Sequence, residues 1–413
     1  MYMKVTDELL HKYARLLVRS GVRVQKGQKV VLNCAVEIHE FALILMEECY
    51  LAGASKVDID WTCGGQSRLN YMYADEETLG TILPWEVAKL EQRVEDLPIL
   101  VHILSEDPDA LRGVDIEKMS RIMQKRMVVT KPYTNRMTGK YQWIGAGYPT
   151  VAWAKKVFPD CTEEEAFDKL WDAILKTVRV EEDNDPVALW QEHSDTLIAK
   201  GKWLTEQKFT RLKYHSANGT DFQVDLIPGS LWESAGMVNP TNNVFFIPNM
   251  PTEEVFNTPY AGKCEGTLVA TKPLSWSGQL IEDFSITFEN GRAVSCKAKK
   301  GQDILEKMIH MDETAGMLGE VALVPKESPI NQLGFLFYNT LFDENACCHV
   351  ALGRGFQTNL PNGNAMSVEE AKALGVNDSM IHVDFMVGSD DLSVVGIKED
   401  GTEVPIFVNG TWA

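Results

Sequence analysis

The residues best suited to chemistry are His382 and Asp384, in the stretch Ile381-His382-Val383-Asp384-Phe385. Successive side chains of a strand alternate between faces, so residues two apart project together. His382 and Asp384 therefore share one face, and Ile381, Val383 and Phe385 the other. Histidine ligates borderline divalent metals, and aspartate supplies oxygen ligands to the same ions. The pair is a candidate half-site. Taken alone, such a pair is met more often as a hydrogen-bonded structural feature than as a metal site.

Three other fragments carry side chains of the same kind. Asn249 to Phe256 places Glu253 and Glu254 just after a Pro break. Gly319-Glu320-Val321-Ala322-Leu323-Val324 heads an apolar strand with one carboxylate. Asn345 to Gly353 sets His349 among small and apolar residues, behind the vicinal Cys347 and Cys348, which read as small core hydrophobes. Singly, Glu320 reads as an exposed strand-edge carboxylate and His349 as a core histidine bonded to a carbonyl, because an unpaired buried charge is too costly. The single-helix zinc motif His-Glu-x-x-His is absent: His39-Glu40 is the only His-Glu pair, and Leu43 stands where the second histidine would be.

The elements that must hold these residues fall into two groups. The first half alternates strand and helix: a strand at 29–34, a helix at 37–52 and a strand at 56–61 form a βαβ unit, which implies a parallel sheet. The pattern continues with a strand at 98–104, a helix at 116–127 and a strand over Met127-Val128-Val129-Thr130. Gly145-Ala146-Gly147 reads as a bend, since it lacks the context of a phosphate or dinucleotide loop. Thr162-Glu163-Glu164-Glu165 is a capping box opening a helix to Val178. Asp185-Pro186 opens another towards Trp203, at the end of the acidic connection 181–185.

From about Thr205 onward, strands and tight turns take over. Asn218-Gly219 and Asn290-Gly291 are two-residue hairpin signals, and Asp400-Gly401 turns the last pair. Further strands are expected at 266–271, 320–324, 381–385, 392–397 and 403–408, with a helix at 302–311. The expected fold is thus an α/β N-terminal domain with a parallel sheet, residues 1–205, followed by a β-rich C-terminal domain, residues 206–413, that binds the metal.

Composition narrows the partners. The 413 residues suit two domains at roughly 100 to 200 residues each. A net charge of −19 argues against nucleic acid and anionic membranes and favours cationic ligands. No apolar run approaches a membrane span, and Met1 to Glu8 has no apolar leader core. Eight irregularly placed cysteines fit a reducing, cytoplasmic setting.

Together, Asn249 to Phe256, Gly319 to Ala322, Cys348 to Gly353 and His382 to Ser389 resemble the signature blocks of the thermophilic-type metallo-aminopeptidases, the aminopeptidase T, aminopeptidase S and PepS family, M29. Trp153-Ala154 with Val157-Phe158-Pro159 is similar to the same family, and the resemblance spans the chain. It implies a two-metal centre of Zn, Co or Mn ligated by Glu254, Glu320, His349, His382 and Asp384. It also implies a cytoplasmic homodimer acting on short peptides with a free N-terminus. Beside ligand Glu254, Glu253 is the candidate general base and acid, the residue type that proton transfer from water to the leaving amine requires. One departure stands out: the family has a tyrosine seven residues after the block histidine, where this chain has Phe356, which can neither ligate nor donate. That change keeps open a dipeptidase or amidase, and a metal-binding protein with weakened catalysis.

Overall fold

The computed structural model describes residues 6–276 and 278–413. The opening segment read above for a leader lies, up to Val5, outside them. The chain forms two compact units: one runs up to Gln191 and adds Gly236–Met250, and the other comprises Glu192–Ala235 and Pro251–Ala413.

The first unit is built on a parallel sheet of β1 (Lys29–Ala35), β2 (Lys56–Thr62), β3 (Ile99–Leu104) and β4 (Trp143–Gly147). Its strand order is Asn249–Met250, β4, β3, β1, β2. Parallel neighbours need a crossover, and helix α1 (His39–Leu51) supplies it between β1 and β2, burying Phe41, Ala42, Leu45 and Cys49. Val30, Leu32, Ile99, Val101 and Ile144 are buried, as expected where a parallel sheet is covered on both faces.

Two expectations fail in this unit. Met127-Val128-Val129-Thr130 is not a strand but the middle of helix α2 (Ile116–Met137). Asp115 caps α2 by accepting from the N–H groups of Glu117 and Lys118 at 2.9 and 3.0 Å. Arg121, Arg126 and Arg136 tie it sideways to Glu76, Glu86 and Glu91. Val128 is left 78% exposed, so the β-branched pair has no sheet to join and its weak strand preference is overridden. Gly145-Ala146-Gly147 is likewise not a bend: it ends β4, where Ile144 and Ala146 are fully buried and Gly145 pairs with β3 and the Asn249–Met250 edge. The two helices closing this half form as read: α3 (Glu163–Thr177) has its capping box, and α4 spans Pro186–Gln207.

The second unit contains a nine-stranded sheet and a five-stranded one. Hairpins dominate the larger sheet. Between Gln279–Glu289 and Arg292–Lys300, Asn290 and Gly291 both take positive φ, 51° and 75°, the type I′ geometry that twists with the strands. A Cβ on Gly291 would lie 1.9 Å from the carbonyl carbon of Gly262, so glycine is required there. The smaller sheet carries the residues of interest. It is ordered β9 (His382–Met386), β8 (His349–Gly353), β7 (Leu318–Leu323), β6 (Val255–Asn257), β5 (Glu233–Ser234), and its pairs are antiparallel. The chain therefore combines an α/β N-terminal part with a β-rich C-terminal part. Among the described residues, no helix is long and apolar enough to cross a membrane.

Candidate metal centre

Alternation divides the small sheet into two chemically opposite faces. Val321, Leu323, Val350, Leu352, Val383 and Phe385 point into the hydrophobic core of the unit. Their neighbours Glu320, Ala322, His349, Ala351, His382 and Asp384 share the other face. The register fixes this: Ala322 opposes His349, Glu320 opposes Ala351, Ala351 opposes Asp384, and Gly353 opposes His382. Two alanines among the ligand-type residues leave free volume between their side chains.

Glu320 reaches that face through an irregularity. Leu318 pairs with Leu352 and Glu320 with Ala351, so three residues of β7 oppose two of β8. In unbroken register Glu320 would oppose Val350 and enter the core face with Leu318. Gly319 makes the bulge possible, since a Cβ there would lie 2.3 Å from the Arg354 carbonyl oxygen.

The polar atoms converge in two overlapping trios, Glu254 with Glu320 and His349, and Glu320 with His382 and Asp384; within each, one ligand atom per residue lies within 4.8 Å of the others. His349 Nε2 is 3.1 Å from Glu254 Oε2. His382 Nε2 is 3.1 Å from Glu320 Oε2 and 3.4 Å from Asp384 Oδ1. The other imidazole nitrogens face main-chain carbonyls, His349 Nδ1 that of Cys347 at 3.2 Å and His382 Nδ1 that of Arg354 at 2.6 Å. A carbonyl can only accept, so it fixes the proton on Nδ1 and turns the Nε2 lone pair toward the carboxylates. Lone pair against carboxylate is repulsive unless a cation lies between them, a proton in the metal-free protein or a metal ion in its place.

The electrostatics point the same way. Burial pushes the Glu320 carboxyl up to about 7, with Glu254 and Asp384 adding to the rise and His382 opposing it. Burial disfavours a charged His382, but Asp384 and Glu320 outweigh it and hold the imidazole up to about 11. His349 is raised well above its usual range by Glu254 in the same way. Asp384 Oδ1 is buried without a hydrogen-bond partner. An orphaned carboxylate oxygen, two imidazole lone pairs and mutually repelling buried carboxylates fit a divalent cation.

Glu254, Glu320, His349, His382 and Asp384, singled out in the sequence, are brought together in this cluster. Glu253 is buried next to Glu254; its N–H donates to Asn345 Oδ1 at 2.7 Å, and its Oε2 is 3.5 Å from His193 Nε2. Phe356 packs its ring 4.8 Å from the His382 ring and 5.6 Å from that of Phe256. Cys348 sits in the core, its thiol raised by burial. Two participants escaped the sequence reading. Glu344 is raised well above the carboxylate range by burial and by repulsion from Asp384 and Glu254, so its carboxyl lies within electrostatic reach of the centre. It stands on a 3-10 turn, Glu344–Ala346, where no periodicity marks it. His193 on α4 lies 60 positions from Glu253 in sequence, and no local signal links them.

This buried ring of carboxylates and imidazoles is the equipment of a metal-dependent hydrolase, and the profile of the family described as Thermophilic metalloprotease (M29) matches residues 6–412. The chain belongs to that family: it is a hydrolase acting on peptide bonds with a divalent metal cofactor. It is 41% identical to Aminopeptidase AmpS of Bacillus subtilis (strain 168) over 408 residues, 98% of this chain and 99% of that one. To Aminopeptidase T of Thermus aquaticus it is 37% identical, over 99% of this chain and all of the other. The solved structure of wild-type AmpT from Thermus thermophilus superposes with a TM-score of 0.90 at 34% identity, covering 99% of this chain and 100% of that one.

Proposed function

We propose that the protein is a dinuclear metal-dependent aminopeptidase that releases the N-terminal residue of short peptides. The observation that carries this reading is Glu320, which belongs to both trios and has two carboxylate oxygens to share between two ions. Glu254 and His349 would hold one ion with Glu320, and His382 and Asp384 the other. A pair of divalent ions, Zn, Co or Mn, supplies Lewis-acid polarisation of the scissile carbonyl and a water acidic enough to attack near neutral pH. The residues of the chain do the rest. Glu253 accepts the proton of the attacking water at its carboxylate and returns it to the leaving amine. Asn345 fixes the main chain of Glu253, and His193, whose Nε2 donates to the Thr252 carbonyl at 2.8 Å, stands 3.5 Å from its carboxylate. The excess of buried carboxylates receives the α-ammonium of the substrate and restricts cleavage to the first residue. Residues 206–413 carry the catalysis and residues 1–205 act as scaffold. By the family resemblance the enzyme is a homodimer, and its irregularly placed cysteines suit the cytoplasm.

The test is hydrolysis of aminoacyl p-nitroanilides by chelator-stripped protein to which Zn, Co or Mn is restored. Activity that returns with metal at two ions per chain and disappears on acetylating the α-amine is the expected result. Equal cleavage of acetylated substrates replaces the aminopeptidase by an amidase, the outcome that Phe356 would then help to explain. Two bound ions without turnover of any substrate would leave a metal-binding protein.

A further inference from the structure

A second charged constellation in the same unit takes no part in the centre described above. A cavity of about 310 Å3 is lined by Lys272, Lys326, Asp390 and Asn331, with Cys347 and Cys348 also in its wall. That is the small end of the range for ligand sites, about 300 to 1,000 Å3. Some lysines of this acidic chain find carboxylates, as Lys29 does with Asp96 and Lys213 with Glu403, both at 2.8 Å. Lys272, Lys326 and Asp390 do not: among the described residues, none of the three forms an ion pair or a side-chain hydrogen bond. Two cations and one anion therefore line a common space without a direct side-chain partner, Lys272 acting only at longer range on the buried Asp343. Asn331 spends its Nδ2 on the Lys326 carbonyl at 2.9 Å and keeps its Oδ1 as an acceptor.

The geometry points to a binding site for a free α-amino acid, whose carboxylate pairs with Lys272 and Lys326 and whose ammonium pairs with Asp390 and Asn331 Oδ1. A simple oxyanion would satisfy the lysines but be repelled by Asp390; the zwitterion matches all three charges. The amino acid is also what an exopeptidase releases, and that link, though not the site itself, rests on the function proposed above. The cavity wall leads directly into the metal-binding strands. Cys347 and Cys348 run into His349 at the head of β8, and Gly388, two residues beyond β9, packs so closely that a Cβ on it would lie 2.6 Å from Cys347 Cβ. A ligand here presses on the segment that aims His349, so the site is one through which accumulated product slows turnover.

Calorimetric titration of the metal-loaded full-length protein with L-alanine, and separately with inorganic phosphate, tests this. The expected result is an alanine site additional to any at the metal centre, weakened at least tenfold in Lys272→Met and Lys326→Met. Turnover of aminoacyl p-nitroanilides without added alanine should be unchanged in both variants, and inhibition by added alanine should be lost. Asp390→Asn should weaken alanine and strengthen phosphate. Identical alanine isotherms in wild type and all three variants overturn the site. Phosphate binding as tight as alanine, with alanine binding indifferent to Asp390→Asn, overturns the zwitterion and leaves an oxyanion pocket. Should Lys272→Met fail to fold by circular dichroism, Asp390→Asn on its exposed side chain decides the matter. Alanine binding that the variants lose, in a protein whose wild type cleaves no free-amine substrate, keeps the pocket and removes the product assignment.

Discussion

In the parallel sheet of the first unit, β3 carries one histidine, His102, whose imidazole is pushed below its usual range by burial and then by Arg93. In the small antiparallel sheet of the second unit, His349 and His382 are also largely buried, yet both are driven upward. Burial acts in the same direction on all three, against the charged ring. The difference is the company: two or more carboxylates face each histidine of the second sheet. Both sheets have five strands. In the first, strand residues are spent on apolar cover; in the second, one face is spent on the core and the other on charges that only a cation can reconcile. Low dielectric therefore silences a histidine in one place and commits it to a metal in the other.

Substitutions should separate these two uses of a sheet. Glu320→Ala is expected to have the largest effect, a loss of about three orders of magnitude in kcat/KM with metal content below that of wild type, since both trios lose their common member. Elemental analysis beside steady-state kinetics checks it; full metal content would break the assignment of Glu320 as the shared ligand. Glu253→Gln should keep its metal and lose about 100-fold or more in kcat, the scale of one general acid–base group. Unchanged kcat would remove Glu253 from the chemistry. Leu32→Ala, at a fully buried position of β1, should instead lower stability by about 2 to 5 kcal/mol while leaving kcat per folded molecule within about twofold, measured by urea unfolding with activity assays.

The smallest effect is a slope. In chelated protein, Glu320 titrates near 7 and not at the ordinary 4.5, and His382 near 11 and not 6.5. Both are raised in the folded state, so each contribution is complete below the ordinary value and is lost as pH rises through the folded one. Metal-free protein should therefore lose melting temperature steadily from about pH 5 towards pH 10. Metal-loaded protein should not, because ligands must be deprotonated to bind. Parallel melting curves with and without chelator would show that these groups are not at the metal.

His382 and Asp384 could be paired from the sequence because they lie on a strand, where a spacing of two means a common face; Glu254, Glu320 and His349 joined them only through the family resemblance, since each lies on a different segment. The apolar neighbours of the pair, Val383 and Phe385, marked the opposite face equally well. Glu344 was hidden because a 3-10 turn has no period long enough to detect. The strand misread at Met127 to Thr130 has a related cause: four β-branched or apolar residues look alike in a strand and on an exposed helical surface, and only Arg126 and Arg136, clamped to Glu86 and Glu91, decide between them. Gly145 to Gly147 misled in the opposite sense, since small residues suggest a bend, whereas here they let a strand lie between two neighbours.

The bulge at Gly319 has a consequence for how the protein is made. Were these strands paired without the bulge, the Glu320 carboxylate would be driven into hydrocarbon, beside Leu318 and Val350, at a cost of several kcal/mol. A chain that pairs these strands wrongly is thus penalised at the residue common to both trios. Correct assembly of the sheet and competence of the centre are inspected together during folding, and a copy that survives has already been proofread for its ability to hold metal.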